Sequence, residues 1–306
     1  DFQGCMDVYD FVNPLDYRYY KKSRFYPQLS KYFSENAKIS YQLKVEKALV
    51  DVLAERGICS KKIADEVSEA IKKVTPDDVY KEEERIKHDI RALVNSIKTH
   101  VSDEAKPYVH FTTTSYDIVS TSDALRLKEG VLFALLPILK ELETTLILVA
   151  LREKDTLQIG RTHGHHAEPI TFGFALSEYV SRLGQRIEKI EKDANKLKGK
   201  ISGAVGAYNS SYLFFSDPED FEKEILKKLK LEASTHSTQI AEPEFVTDLV
   251  HSIISTFGVL ANLSDDMRGL QRSEIAEVGE AFDSKQVGSS TMPHKRNPIN
   301  FENAKS

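Results

Sequence analysis

The chain contains 306 residues, of which 41% are hydrophobic and 29% charged, with 14 glycines and 10 prolines. This composition excludes collagen, low-complexity disordered chains and small disulfide-rich proteins. The formal net charge of −5 gives no basic field for nucleic acid, and two cysteines are too few for a disulfide framework, which favours a cytoplasmic protein.

The apolar residues recur at the three-and-four spacing of helices along most of the chain. Short helices are predicted over 40–56, 61–73 and 78–98, and longer ones over 125–149, 172–197 and 246–270. Pro137 interrupts the first long helix, where we expect a kink. Alternating strand patterns are nearly absent, and the glycine-bearing segments 160–164, 202–206 and 288–290 are predicted to be loops between helices.

This pattern predicts an all-α fold built as an elongated long-helix bundle. We expect a smaller N-terminal helical domain over 1–110 and the long-helix domain over 111–306. Helices about 40 Å long exceed a compact monomer of this size, so the bundle is expected to continue into partner chains. The longest uninterrupted apolar stretch, 130–136, is far shorter than the ~20 residues of a membrane helix, so no membrane span is predicted.

Residues 288–298, which read Gly-Ser-Ser-Thr-Met-Pro-His-Lys-Arg-Asn-Pro, are the most informative segment. The loop offers hydroxyl groups and backbone N–H groups, and Lys295 and Arg296 add positive charge. Asn297 followed by Pro298 has the pattern of an N-cap and a proline at the first helical position. We therefore predict an anion site at the start of a helix, the alternative being a surface loop with an ordinary cap.

Two further polar segments have simpler interpretations that remain open. His163, His165, His166 and Glu168 could bind a metal, although this spacing is not typical of a tetrahedral zinc site and no cysteine accompanies it. His88 lies opposite the apolar stripe of its predicted helix, where a histidine is ordinarily solvated.

The 288–298 segment resembles the signature loop of the fumarase/aspartase superfamily. Its ending, residues 294–298, is similar to that of the adenylosuccinate lyase family and of the carboxymuconate cycloisomerases. Residues 160–169, and 114–117 after His110, resemble two conserved regions of the adenylosuccinate lyase family, whereas the cycloisomerases lack a histidine matching His163. Smaller matches lie at 16–19, 87–89, 202–206, 238–239 and 271–274. Two features depart from the family. Residues 241–244 replace the basic residues usual there, and the C-terminal helical domain of the family is absent from this chain.

The resemblance implies elimination of fumarate from adenylosuccinate and from the succinyl-carboxamide ribonucleotide of purine synthesis, without a cofactor or a metal. It implies that Ser289 is the base, that His163 is the acid, and that Lys295 holds a carboxylate. His88 and Glu302 would orient or charge the acid. Substrate contacts are implied for Arg18, Tyr19, Asp89, His110, Thr114, Ser115, Thr162, Gln239, Ser290, Met292 and Asn297. Family members form homotetramers in which three chains contribute to each active site.

Three alternatives stay open at this stage. A sibling such as argininosuccinate lyase normally has Gln-Lys-Lys where this chain has His294, Lys295 and Arg296. A structural relative without activity would not need an intact Ser289, Lys295 and His163. A generic helical scaffold would leave all three polar segments unexplained.

Overall fold

The computed structural model describes residues 26–281, 288, 290–292 and 294–306. These residues are predominantly helical, which confirms the predicted all-α class. The contacts divide the chain into two compact units. The first unit comprises 1–137 and 191–248, and the second comprises 138–190 and 249–306. Residues on both sides of position 110 belong to the first unit, and the predicted domain boundary there stays a prediction.

The elements follow one another in a simple order along the chain. The helices are α1 Tyr26–Phe33, α2 Glu35–Glu55, α3 Lys61–Ile71, α4 Pro76–Ile86, α5 Asp89–Lys98, α6 Ser115–Gly130, α7 Leu136–Arg152, α8 Phe172–Asn195, α9 Pro218–Lys228, α10 Glu244–Leu270 and α11 Ile299–Lys305. The strands are β1 Leu157–Thr162, β2 His165–Thr171, β3 Lys198–Gly199 and β4 Glu232–Ala233. One-turn 3₁₀ helices lie at Lys106–Tyr108 and Ser211–Leu213.

In the first unit, α2 packs against α3, α6 and α9, and α4 packs against α5. The core contains fully buried side chains such as Leu53, Leu93, Ile118 and Phe221. The prediction of one helix over 78–98 is wrong. Lys87 adopts a left-handed backbone conformation with φ of 56° and ends α4, and His88 caps the start of α5.

The helix predicted over 125–149 contains an irregular turn just before Pro137. After α6, residues Val131–Leu135 form a π-helical turn, and α7 begins at Leu136. Because proline has no N–H group to donate, a change of hydrogen-bonding pattern beside it is expected.

In the second unit, side chains of α8 and α10 contact each other in antiparallel order. The Tyr179 hydroxyl donates to Asp266, Arg182 donates to Asn262 at 2.9 Å, and Arg186 donates to Ser255 at 3.4 Å. Buried apolar residues on these helices, among them Leu183, Ile187 and Val259, form the core of this unit.

The prediction of a loop at 160–164 is wrong, because β1 and β2 form an antiparallel hairpin there. The hairpin lacks a clear alternating pattern, since residues Thr162–Pro169 are exposed on both faces. Strands β3 and β4 pair in parallel and form a second, short two-stranded sheet.

Helix α10 is long and apolar enough, by length and composition, to cross a membrane. Core helices of water-soluble proteins pass the same test. The polar contacts of α10 with α8 are those of a helix packed within a protein, and the expected absence of a membrane span stays a prediction.

Candidate active site

Three of the predicted site residues, Arg18, Tyr19 and Ser289, lie outside the described residues. The other predicted residues are distributed over both units. His88, Asp89, His110, Thr114, Ser115 and Gln239 belong to the first unit, and Thr162, His163, Ser290, Met292, Lys295, Asn297 and Glu302 belong to the second.

His110 forms a buried ion pair with Glu46 of α2. The ring Nδ1 lies 2.6 Å from Glu46 Oε1, and the His110 backbone N–H donates to Oε2 at 3.0 Å. Burial lowers the pKa of His110, but the charge and hydrogen bond of Glu46, together with the charge of Asp117, outweigh it, and the pKa lies above its usual value. A raised pKa favours the cationic ring, which can bind an anionic group.

Thr114 and Ser115 lie at the start of α6, with Thr114 as the N-cap. The backbone N–H of Thr114 donates to Asp117 Oδ2 at 2.8 Å, so a carboxylate inside the helix fixes the backbone at its entry. The hydroxyl oxygen of the preceding Thr113 is buried and has no hydrogen-bond partner among the described residues. The start of α6 is thus held by its own Asp117, and the residue just before the N-cap has an unpaired hydroxyl oxygen.

His88 caps α5 through its ring. The backbone N–H of Arg91 donates to His88 Nδ1 at 3.3 Å. A backbone N–H can only donate, so Nδ1 accepts this hydrogen bond and the N–H of the ring is on Nε2. Asp89 follows as the first residue of α5, and its carboxylate accepts the Ile90 N–H at 2.7 Å. His88 therefore presents an N–H donor from a ring that the helix start holds in place.

Thr162 and His163 lie at the tip of the β1–β2 hairpin. Thr162 pairs with His165, which leaves His163 and Gly164 as the two turn residues, with φ of 56° and 78°. Positive φ at both positions is the signature of a tight hairpin turn that matches the twist of the strands. The predicted acid is consequently exposed at the tip of a paired hairpin rather than in an irregular loop.

Strand β1 of this hairpin is tied to the segment after α10. Arg161 and Gln158 both donate to the carboxylate of Glu277, Gln158 at a distance of 3.1 Å. The pairing register shifts at Gly160, where an added Cβ would lie 2.8 Å from the Glu168 carbonyl oxygen. The ion pair and this close backbone approach fix the direction in which the tip projects.

Ser290, Met292 and Lys295 are exposed in the signature loop, and Asn297 is half-buried. The Asn297 side chain donates to the Gly288 carbonyl at 3.1 Å and thereby joins the two ends of the loop. Lys295 N donates to the Met292 carbonyl at 3.1 Å, which closes a turn inside it.

The prediction that Asn297 caps a helix with Pro298 at its first position is wrong by one residue. Helix α11 begins at Ile299, and Pro298 occupies the cap position. The carboxylate of Glu280 accepts the backbone N–H groups of Asn300, at 3.1 Å, and of Phe301, at 3.0 Å. The N–H donors at this helix start are therefore bound by the chain's own Glu280 carboxylate, in the place where the sequence analysis predicted a bound anion.

Glu302 lies on α11 and lines a small cleft with Arg268, Gln271 and Arg272. Gln239 lies in the first unit, exposed on the turn that precedes α10. Behind it, Glu242 accepts the His236 N–H at 3.1 Å. This acidic residue occurs where the resemblance leads one to expect a basic one.

Several supporting residues were missed by the sequence reasoning. Glu46, Lys200 and Glu280 are paired with partners far away in sequence, and no local pattern identifies them. Asp117 could have been found, because a threonine followed three residues later by an acidic residue is a capping-box pattern. Among the described residues, no group of histidine, cysteine, aspartate and glutamate side chains has the arrangement of a metal site.

Comparison with known proteins gives consistent matches. A model of a family described as lyase matches residues 18–306. The adenylosuccinate lyase of Archaeoglobus fulgidus is 36% identical over 293 residues, which cover 95% of this chain and 63% of the relative. That of Pyrococcus abyssi is 36% identical over 294 residues, with 95% and 63% covered. The chain thus spans a little under two thirds of the length of these curated relatives.

Solved structures give the same fold. The 3-carboxy-cis,cis-muconate lactonizing enzyme of Pseudomonas putida is similar with a TM-score of 0.79 at 25% identity, over 91% of this chain and 62% of that enzyme. A fumarate lyase from Mesorhizobium sp. BNC1 has a TM-score of 0.76 at 24% identity, over 83% and 59%.

Proposed function

Because this chain belongs to the lyase family, we propose that the protein eliminates fumarate from adenylosuccinate and leaves AMP. The observation that carries the proposal is the identity of 36% to an adenylosuccinate lyase over 95% of the chain. The succinyl-carboxamide ribonucleotide of purine synthesis is the second proposed substrate. Both reactions break a C–N bond between a succinyl group and a nitrogen of the nucleotide.

The proposed reaction needs a base, a site for developing charge and an acid. Ser289 removes a proton from the carbon next to a succinyl carboxylate, Lys295 and Asn297 hold that carboxylate as it gains charge, and His163 protonates the departing nitrogen. Fumarate forms when the C–N electron pair leaves with the nitrogen. A serine is a weak base unless it is activated. Since Glu280 already binds the helix-start N–H groups, we assign this activation to the cationic side chain of Lys295.

The geometry of the described residues is compatible with these roles. His163 projects from a hairpin tip in which residues 162–169 are exposed, and Lys295 is exposed in the signature loop. The capping geometry of His88 leaves its Nε2–H as a donor, which suits a residue that orients the acid or the substrate. Thr114, Ser115, Gln239, Thr162, Asp89, Ser290 and Met292 are proposed substrate contacts, and Arg18, Tyr19 and His110 are proposed to bind the phosphate end.

We also propose that the protein is a cytoplasmic homotetramer whose active sites are shared between chains. Helix α10 supports this, because Val250, Ile254 and Phe257 form a stripe on one face and are 46%, 57% and 61% exposed. Exposed apolar stripes of this kind mark protein interfaces. Light scattering coupled to size-exclusion chromatography of the full-length protein would measure the assembly directly.

The test is fumarate release from adenylosuccinate by the full-length protein, followed by absorbance. We expect turnover by the wild type, none by Ser289→Ala or His163→Ala, and near wild-type turnover by His166→Ala, a matched control on the same hairpin. No turnover by a folded, full-length wild-type tetramer would overturn the assignment. Argininosuccinate would be the next substrate to test, since a sibling lyase shares the chemistry.

A further inference from the structure

A buried ion pair lies directly beneath the start of α6. The side chains of Asp117 and Lys200 are both completely buried, and Lys200 Nζ lies 2.5 Å from Asp117 Oδ1. Taking two charges out of water is costly, and it is tolerated only where the remaining donors and acceptors are satisfied. Here they are satisfied by backbone groups from two different segments.

The first of these segments is the entry to α6, whose Thr114 N–H binds Asp117 Oδ2 at 2.8 Å. The second is the turn 202–206. Asp117 accepts the N–H groups of Ser202 at 3.1 Å and Gly203 at 3.2 Å, and Lys200 Nζ donates to the Gly203 carbonyl at 3.0 Å. One carboxylate and one ammonium group therefore join two segments that lie far apart in sequence.

The 202–206 turn itself packs against the segment that leads to Gln239. The hydroxyl oxygens of Ser202 and Ser237 lie 2.6 Å apart. Gly206 approaches so closely that an added Cβ would lie 2.1 Å from the Ser237 carbonyl oxygen. The ion pair thus joins 114–117 to 202–206 directly, and it supports 237–239 through the contacts of Ser202 and Gly206 with Ser237.

We propose that Asp117 and Lys200 are positioning residues, which hold the first turn of α6 in the place where Thr114 and Ser115 bind the succinyl carboxylate. This inference rests on the proposed function. Neither residue needs to touch the substrate. A buried charge pair contributes little net stability compared with apolar residues, so its value here lies in fixing one arrangement of the three segments.

The test compares the double variant D117N/K200M with Thr121→Val in the full-length protein. The double variant removes both charges, so no lone charge stays buried. Thr121 is a matched control, because its buried hydroxyl accepts the Lys200 N–H at 3.0 Å and donates to the Lys200 carbonyl at 2.8 Å, and both bonds join backbone atoms rather than either charged group. Far-UV circular dichroism and size-exclusion chromatography establish that each variant folds and assembles.

The readouts are kcat/KM for adenylosuccinate and the inhibition constants of the two products. We expect D117N/K200M to lower kcat/KM at least tenfold and to weaken inhibition by fumarate at least tenfold. Inhibition by AMP should weaken by no more than about threefold, because Asp117 contributes less than Glu46 to the raised pKa of His110. We expect T121V to leave all three values within about twofold. A general loss of packing would instead weaken fumarate and AMP together.

The outcomes separate this inference from the proposed function. Wild-type turnover with unchanged fumarate inhibition in D117N/K200M, or with equal weakening of fumarate and AMP, would overturn the positioning role and leave the proposed function intact. An inactive, folded wild type would overturn both. If D117N/K200M does not fold, Lys200→Arg takes its place, because it keeps both charges paired and changes only the geometry of the contacts with Asp117 and Gly203, and the same three readouts decide.

Discussion

The ion pair between Glu46 and His110 makes the stability of the first unit depend on pH in a way that one substitution should reverse. Glu46 is completely buried and the His110 side chain is 17% exposed, with 2.6 Å between the carboxylate and the ring. The folded-state pKa of His110 lies above its ordinary value of about 6.5. The stability that this pair contributes is therefore fully present below about pH 6.5 and is lost as pH rises through the folded-state pKa.

The substitution Glu46→Gln keeps an oxygen that can accept the His110 backbone N–H but removes the charge that faces the ring. Burial, helped by the charge of Lys98, then lowers the pKa of His110 against the weaker opposing effect of Asp117. When the folded-state pKa of a histidine lies below its ordinary value, the free energy of unfolding falls as pH falls, because the buried ring must take up a proton. The slope of stability against pH should thus change sign.

The magnitude follows from the contacts that are lost. At low pH, Glu46→Gln loses the hydrogen bond between the charged His110 ring and the carboxylate, which lowers the free energy of unfolding by about 2 kcal/mol. The 3.0 Å hydrogen bond from the His110 backbone N–H can persist. Above the folded-state pKa the wild-type ring is neutral, and the loss should shrink to about 1 kcal/mol. The difference between Glu46→Gln and the wild type is therefore predicted to be about twice as large near pH 6 as at an alkaline pH above the folded-state pKa, where the difference no longer changes with pH.

The assay is urea unfolding at these two pH values, followed by far-UV circular dichroism, because the helices dominate the signal and the chain contains no Trp. The control is His110→Gln, which should abolish the contribution of this pair to the pH slope. If Glu46→Gln and the wild type differ by the same free energy at both pH values, His110 is not the titrating group and the reasoning fails.

Three further predictions concern single contacts and are measured separately. His88→Asn should keep the cap of α5 and stay within about 0.5 kcal/mol of wild-type stability. His88→Gln should lose about 1 kcal/mol in urea unfolding. Equal losses in the two variants would show that the ring does not cap the helix. Gly206→Ala should lower the free energy of unfolding by at least about 2 kcal/mol, since φ is +79° and the new Cβ would meet the Ser237 carbonyl. Its control is Gly57→Ala, where φ is +71° but the space around the new Cβ is open, and the loss should be only about 1 kcal/mol. Glu280→Ala should speed amide hydrogen exchange in a peptide covering α11, and unchanged exchange there would contradict the assigned cap.

The helices could be predicted because their apolar stripes are determined locally. The predicted helices over 61–73, 172–197 and 246–270 are confirmed to within a few residues as α3, α8 and α10. The break at Lys87 and His88 escaped prediction, because neither residue is a glycine or a proline and the apolar stripe continues across it. A lysine in the left-handed region is uncommon, and only the capping bonds of the next helix identify the break.

The hairpin around His163 could not be predicted for a different reason. Its exposed strands have no buried face, and a sequence with no buried face has no alternation to read. The turn itself carried a weak signal, since histidine followed by glycine can adopt the two positive φ angles that a tight hairpin requires. The anchoring pair of Arg161 and Glu277 is invisible locally, because its members are separated by 116 residues.

The buried charges show why motifs could be located from the sequence while their supports could not. A motif such as 114–117 is recognisable because its chemistry requires particular residue types in a fixed local order. Its support comes from Lys200, whose position opposite Asp117 depends on the whole path of the chain between them. The same carboxylate also raises the pKa of His110, so the two buried pairs of the first unit are electrostatically linked. Removing the charge of Asp117 would therefore weaken the hold on the α6 entry and lower the pKa of His110 at once, a coupling that only the folded arrangement creates.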